Sequence, residues 1–296
     1  MKISILGASG MLGSQTLKSM NTHGYDITAT YRNVNKADVE SYPNVEFVAL
    51  DAANASVSDI QATIQGSTWC INCIGIIKPY IQDTNMDDVM RAIDINSAFP
   101  ARLAAAAQRS GVKVLQIATD CVWNGQDSAY TEGTPHNALD VYGKSKSLGE
   151  IQADHVFNLR CSIIGKELAG NVSLLDWFLA QPKNAELNGF TNHYWNGVTT
   201  LQFSKICAAI IKHGLTPPNI QHIVPANNLN KYELLHVFAQ VFARTDIQIT
   251  PYDAPIGIDR TIQTNTPTKN HELWSMAGYD QPPTIEAMVQ EFKESL

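Results

Sequence analysis

The sequence has no apolar run long enough to cross a bilayer. Even the Ala-rich stretch 103–107 is short and is flanked by Arg102 and Gln108. Basic residues are in the minority, 21 Lys and Arg against 28 Asp and Glu, so the net charge of -7 gives no electrostatic footprint for nucleic acid. Cysteines are few and odd in number, five, without the density of a disulfide scaffold; reduced thiols and a cytoplasmic setting are expected. Cys70 and Cys73 form a C-x-x-C, but inside a strand-like run, where residues three apart point to opposite faces, so two core thiols are expected. The first residues run straight into a strand pattern, which leaves no room for a signal peptide, and export is not expected. Internal repeats, low-complexity tracts and long charge runs are also missing. These absences leave a small molecule as the expected partner, with no nucleic acid, no membrane and no metal, and a homodimer as one possible assembly.

What is present is an alternation of short β-like and helical stretches. Strands are expected over 2–6, 26–31, 45–50, 68–74, 112–118 and 156–159, each apolar enough to be buried on both faces. A helix is expected from about Ile93 to Arg109, stopped by Ser110-Gly111, with a kink or a fresh start at Pro100. The expected fold class is α/β, a Rossmann-type doubly wound parallel sheet over 1–165 followed by a smaller C-terminal substrate-binding lobe over 166–296, some of which returns to pack on the first part. In that lobe Phe203, Ile206, Cys207, Ile210 and Ile211 share one helical face, as do Leu234, Phe238, Val241 and Phe242.

Gly7-Ala8-Ser9-Gly10-Met11-Leu12-Gly13 follows the first strand and opens a helix, the G-x-x-G-x-x-G context of a dinucleotide-binding turn. Gly7 permits the tight turn. Gly10 lets a pyrophosphate approach backbone N–H groups at the helix N-terminus, and Gly13 allows close helix-to-strand packing. Ser9, Met11 and Leu12 belong to the same cofactor-binding turn. After the second strand, where an acidic residue would hold the ribose of NAD, stands Arg32, suited to a 2′-phosphate; NADP is the expected cofactor, with NAD possible. Asp51 and Ala52, after the third strand, are expected beside the adenine, Asp51 having a helix cap as its other reading. Cys73, Ile74 and Gly75, at the end of the fourth strand, complete the expected cofactor contacts.

The fifth strand ends in Ala118-Thr119-Asp120-Cys121, where ligands bind in open parallel sheets. Further on, Tyr142 and Lys146 form a Y-x-x-x-K whose members share one helical face. An ammonium beside a phenol makes the phenol a better proton donor and acceptor near neutral pH. Glycine turn, hydroxyl and Tyr-Lys pair, in that order, are what hydride transfer to a carbonyl needs.

The chain resembles the extended short-chain dehydrogenase/reductases, specifically the dTDP-4-dehydrorhamnose reductase group of nucleotide-sugar enzymes. The likeness is densest in Ala118-Thr119-Asp120-Cys121-Val122-Trp123-Asn124-Gly125, Tyr130-Thr131-Glu132, Val141-Tyr142-Gly143-Lys144-Ser145-Lys146, Gly149-Glu150 and Leu159-Arg160. It implies that Thr119 holds the substrate carbonyl, Tyr142 donates the proton, and Lys146 binds the nicotinamide ribose and lowers the Tyr142 pKa. Asp120, Cys121, Trp195 and Asn196 are the further expected substrate contacts.

Two departures bear on the sugar: Cys121 stands where the rhamnose reductases carry an aromatic residue, and Cys161-Ser162-Ile163 follows the sixth strand where they carry another. GDP-fucose synthases place a cysteine at the Cys121 position and use it in epimerisation, so Cys121 has two readings, an inert thiol or an acid/base. A sugar-nucleotide dehydratase is disfavoured, because the Asp-Glu pair that class needs is here Asp120-Cys121. The expected function is NADPH-dependent reduction of a keto group on a nucleotide-activated deoxysugar. The alternatives are a bifunctional epimerase/reductase and a non-catalytic regulatory subunit of the methionine adenosyltransferase type.

Overall fold

A computed structural model describes residues 1–36 and 39–296. The first half alternates as β1 (Lys2–Leu6), α1 (Met11–Asn21), β2 (Asp26–Tyr31), β3 (Val45–Ala49), α2 (Val57–Ile64), β4 (Trp69–Asn72), α3 (Met86–Ile93), α4 (Phe99–Ser110), β5 (Lys113–Ala118), α5 (Val141–Leu148) and β6 (Val156–Arg160). The second half runs β7 (Ile163–Ile164), α6 (Leu174–Leu179), β8 (Glu186–Phe190), β9 (His193–Trp195), β10 (Val198–Thr199), α7 (Thr200–His213), β11 (Ile220–His222), β12 (Leu229–Asn230), α8 (Lys231–Val241), β13 (Gln248–Tyr252), β14 (Ile258–Asp259), α9 (Pro267–Met276) and α10 (Ile285–Glu294).

Seven strands form one parallel sheet in the order β11-β6-β5-β4-β1-β2-β3. The order reverses direction at β1, so the crevice between the carboxyl ends of β1 and β4 is where such sheets take a ligand. The sheet is buried on both faces except at its edge: the expectation that each strand is buried on both sides fails for β3, where Glu46 and Ala49 are exposed and Phe47 and Val48 half-buried because no strand lies beyond it. Ile3, Ile5, Ile27 and Ile71 face the layer of α1 and α7, whereas Leu6, Cys70 and Val114 face α2 and α4. The two apolar faces expected in the second half are the inner sides of α7 and α8, with Ile206, Cys207, Ile210, Leu234 and Phe238 in the first core.

Two sequence expectations are refined. The helix expected from Ile93 to Arg109 is interrupted by a π-turn, Asp94–Ala98, and restarts at Phe99 with Pro100 in its first turn, where a missing N–H breaks no helical hydrogen bond. Gly111 closes it in the left-handed conformation, φ 66°. The chain after Gly165 supplies part of the main layer as well as the smaller lobe. β11 extends the sheet beside β6, and α7 packs on α1, with the buried Thr16 and Ser204 hydroxyls 3.1 Å apart.

Candidate functional site

The glycine turn lies at the carboxyl end of β1 and is tied to β2: the Gly7 N–H donates to Thr30 Oγ1 at 2.9 Å and the Ala8 N–H to the Thr30 carbonyl at 2.9 Å. Gly13 has no room for a side chain, since a Cβ there would sit 2.1 Å from the Gly7 carbonyl oxygen. Gly7, at φ +82°, faces Ile74 of the β4 end so closely that a Cβ would lie 2.7 Å from Ile74 Cγ1. Ser9 and Gly10 are exposed, no side chain caps α1, and its first turn carries no acid, so the N–H groups at Met11 and Leu12 begin a helix whose positive end is open. These residues fit a dinucleotide pyrophosphate. Arg32 follows β2, exposed and with no ion-pair partner among the described residues. Ala52 is buried, and Asp51 closes a turn by accepting from the Ala53 N–H at 3.2 Å and from Asn54 Nδ2 at 2.6 Å. Its other reading, a helix cap, does not apply: α2 is capped by Ser56 in a capping box with Asp59. At the β4 end, Cys73 and Ile74 are half-buried and Gly75 is exposed; a Cβ on Gly75 would lie 3.8 Å from Lys146 Nζ.

Thr119 directly follows β5 and caps the short 3-10 turn Asp120–Val122, its Oγ1 accepting the Cys121 N–H at 3.2 Å and donating to Asp120 Oδ1 at 3.2 Å. Tyr142 and Lys146 lie one turn apart on α5, which Asp140 caps through the Gly143 N–H at 2.7 Å. Burial raises the Tyr142 pKa well above the usual phenol range, and Thr119 acts against the rise. Lys146 Nζ donates to the Ile117 carbonyl at 3.1 Å, and burial brings its pKa down to about 8, with Glu150 acting the other way. Thr119, Tyr142 and Lys146 thus meet at the mouth of the sheet. Burial, and after it the Asp120 carboxylate, push the Cys121 thiol up to about 12, which favours the reading of Cys121 as an inert thiol.

The π-turn before α4 also faces this mouth. It carries Asn96, whose Nδ2 donates to the Ile76 carbonyl at 3.0 Å and whose Oδ1 accepts the Ile76 N–H at 2.9 Å, pinning the segment after β4 next to α5. Nothing in the sequence marked Asn96 beyond the break at Pro100.

Beneath α5 lies a buried ion cluster. Arg160, fully buried at the end of β6, donates Nε to Glu150 Oε1 at 3.0 Å and Nη2 to Glu150 Oε2. It also faces Nε2 of His222 at 2.7 Å and of His136 at 3.0 Å, and lies 4.8 Å over the Trp123 ring. A guanidinium has no acceptor, so both imidazoles are neutral with the proton on Nδ1; His222 then donates to the Gln263 carbonyl and His136 to Ser147 Oγ. Burial and the Arg160 charge hold the His222 pKa below its ordinary value. Trp123 stacks on Tyr130 at 4.7 Å, and Glu132 joins the His222 N–H to Thr264 and to the Asn265 N–H. The resemblance residues Trp123, Tyr130, Glu132, Glu150 and Arg160 therefore form the support under the site.

From the second half, Trp195 is buried on β9 with Lys231 Nζ 5.4 Å over its ring. Asn196 is also buried, but both ends of its amide are engaged by the Ile262 backbone, at 2.7 and 2.9 Å, which makes it a pin between segments. His193 packs tilted against Phe190, ring centroids 4.6 Å apart, and its Nε2 lies 3.1 Å from the Ile256 carbonyl. Two cations that sequence reading missed act on Asp120 and Cys121: Lys231 and Arg260. Lys231 had one legible signal, a lysine placed directly after the N-cap of a helix, where the dipole disfavours positive charge.

The family model described as the RmlD substrate binding domain matches residues 1–255. A dTDP-4-dehydrorhamnose reductase from Bacillus anthracis, solved in complex with NADP, is similar with a TM-score of 0.75 and 21% identity, over 100% of this chain and 99% of that one. Methionine adenosyltransferase 2 subunit beta from Xenopus tropicalis is 23% identical over 269 residues, 86% of this chain and 76% of that protein. The spore coat polysaccharide biosynthesis protein SpsK of Bacillus subtilis is 27% identical over 157 residues, 50% of this chain, so the match spans about half (47%) of that protein's length. With the family model covering most of its length, the chain belongs to the RmlD substrate binding domain family.

Proposed function

We propose that this protein is an NADPH-dependent reductase of a keto group on a nucleotide-activated deoxysugar, of the dTDP-4-dehydrorhamnose reductase type, working in the cytoplasm. The observation that carries this reading is the meeting of Thr119, Tyr142 and Lys146 at the mouth of the sheet. The NADP complex of the Bacillus anthracis reductase supports the cofactor, and the polysaccharide role in the name of the SpsK relative supports the substrate class. Five free cysteines suit a reducing compartment.

When bound, NADPH supplies the hydride that adds to the carbonyl carbon. The chain's own residues handle the oxygen. The Thr119 hydroxyl turns from Asp120 to hold the carbonyl oxygen, Tyr142 gives that oxygen its proton, and the Lys146 ammonium stabilises the phenolate left behind. The raised Tyr142 pKa keeps the donor protonated until the substrate oxygen takes its proton. Because the Lys146 pKa is lowered, the ammonium is present below about pH 8 and is lost above it. Turnover at saturating NADPH is therefore expected to fall as pH rises through that value; a profile that stays flat well above it would separate Lys146 from the chemistry.

Arg32 is assigned to the 2′-phosphate. Arg32→Ala is expected to weaken NADP by roughly 1–3 kcal/mol more than NAD, the worth of a hydrogen bond to a charged group. Equal losses for both cofactors, measured by titration, would remove Arg32 from that role.

The direct test follows the absorbance of NADPH with a panel of keto-sugar nucleotides, dTDP-4-dehydrorhamnose first. Oxidation of NADPH is expected. Tight NADPH binding with no turnover across the panel would overturn the reading in favour of a regulatory subunit like the methionine adenosyltransferase relatives, a role that gives no reason for Thr119, Tyr142 and Lys146 to be assembled.

A further inference from the structure

Lys231 is a half-buried ammonium that the reduction chemistry does not use. It opens α8, whose N-terminal dipole repels a cation, and the acid of its own first turn, Glu233, is engaged in a capping box with Asn230. Among the described residues it has neither a hydrogen bond nor an ion pair; its close neighbour is the face of Trp195, 5.4 Å away. The titratable and charged groups that face it are Asp120 and Cys121 from the end of β5 and Arg260 from the segment after β14.

Charge around it does not balance. Asp140 is paired with Lys78 at 2.7 Å, and Glu150 is paired with Arg160. Asp120, the carboxylate beside Thr119, thus faces two cations. Arg260 is anchored, its Nε donating to the Trp123 carbonyl at 2.9 Å and its Nη2 to the Asn124 carbonyl at 3.4 Å. One positive charge is in surplus, and of the two cations it is Lys231 that has no hydrogen-bond acceptor among the described residues. A partly buried charge without a partner is costly to hold, and an anion arriving with the ligand removes that cost.

We infer that Lys231 is a specificity-determining residue that binds an anionic oxygen of the substrate, over Trp195 and beside Asp120 and Cys121. The inference rests on the nucleotide-sugar reading above and adds to it that the substrate brings negative charge to this corner of the site. Two parts of a sugar nucleotide carry such oxygens, the diphosphate and a carboxylate on the sugar. Trp195 supplies the apolar face on which a sugar ring packs while its charged edge meets the ammonium.

The experiment measures binding by calorimetry to the NADP-loaded protein, so no turnover is needed. The probes are dTDP, UDP, GDP, and the pair UDP-glucose and UDP-glucuronate; the variants are Lys231→Met and Lys231→Arg. Lys231→Met is expected to weaken an anionic probe by about tenfold or more, Lys231→Arg to stay within about threefold, and NADP affinity to be unchanged in both. Loss for every nucleoside diphosphate identifies the diphosphate as the source. Loss only of a preference for UDP-glucuronate over UDP-glucose identifies the carboxylate. Unchanged affinity for all probes in Lys231→Met overturns the inference while leaving the reductase reading intact. A wild-type protein that binds no nucleotide of the panel overturns both. If Lys231→Met does not fold, the wild type and Lys231→Arg decide: burial lowers the Lys231 pKa to about 8, so wild-type affinity is expected to fall as pH rises through that value and the arginine variant is not, whereas parallel profiles reject the role.

Discussion

Replacing Tyr142 with Phe is expected to leave NADPH affinity almost unchanged and to cut turnover by a factor on the order of 100 or more. The ring would still fill its place on α5, because the proton donor is a single oxygen at its edge. Thr119 is held independently by Asp120 Oδ1 and the Cys121 N–H, so loss of the Tyr142 hydroxyl takes one member from an otherwise intact array. Stopped-flow reduction of the keto substrate with prebound NADPH isolates the chemical step. A variant reducing at near the wild-type rate would take Tyr142 out of the mechanism.

A larger effect on the fold is expected from Glu150→Ala. Arg160 is fully buried, its neighbours His136 and His222 are held neutral, and Glu150 is the carboxylate that hydrogen-bonds the guanidinium. Removing Glu150 leaves a buried cation with a tryptophan face and two imidazole lone pairs, and breaking such a pair costs about 3–5 kcal/mol of stability. Urea unfolding of the purified protein reads this directly. A loss under about 1 kcal/mol would mean that water or a rearranged side chain replaces the carboxylate. Because Arg160 ends β6 and Glu150 follows α5, the same variant is expected to loosen the helix that carries Tyr142 and Lys146.

Much of this arrangement was legible before the structure. The first six strands are legible as apolar runs, because burial on both faces demands continuous hydrophobicity, and each is found within one or two residues at either end, although the edge strand β3 is only half-buried. The glycine turn was legible because Gly7 and Gly13 answer to steric limits that act over a few residues. Tyr142 and Lys146 were legible because their spacing is local.

What escaped depends on contacts far apart in the chain. Arg260 lies in a segment with no regular pattern and reaches the Trp123 and Asn124 carbonyls, more than 130 positions away in sequence. Asn96 is hidden because the break legible at Pro100 does not show that the turn before it is a π-turn, which leaves the hydrophobic spacing nearly intact and displaces one side chain. Asn196, an amide among aromatics, also has a packing role that its chemistry does not announce, since both ends of its amide meet the Ile262 backbone. Composition of a segment does not say whether a polar group is already satisfied.

The last strand of the sheet has a consequence for how the chain is made. β11 pairs with β6 from beyond a long intervening stretch, and its His222 contacts Arg160 from 62 residues further along. During synthesis β6 therefore emerges with one edge open and its guanidinium missing a partner, and both stay so until the ribosome has released β11. An unpaired strand edge is a template for association with other chains, so this interval is when the nascent protein most needs a chaperone or a slow, dilute environment. Completion of the layer is a late event, and what closes the edge of β6 is supplied by sequence lying beyond the glycine turn and the Tyr-Lys helix alike.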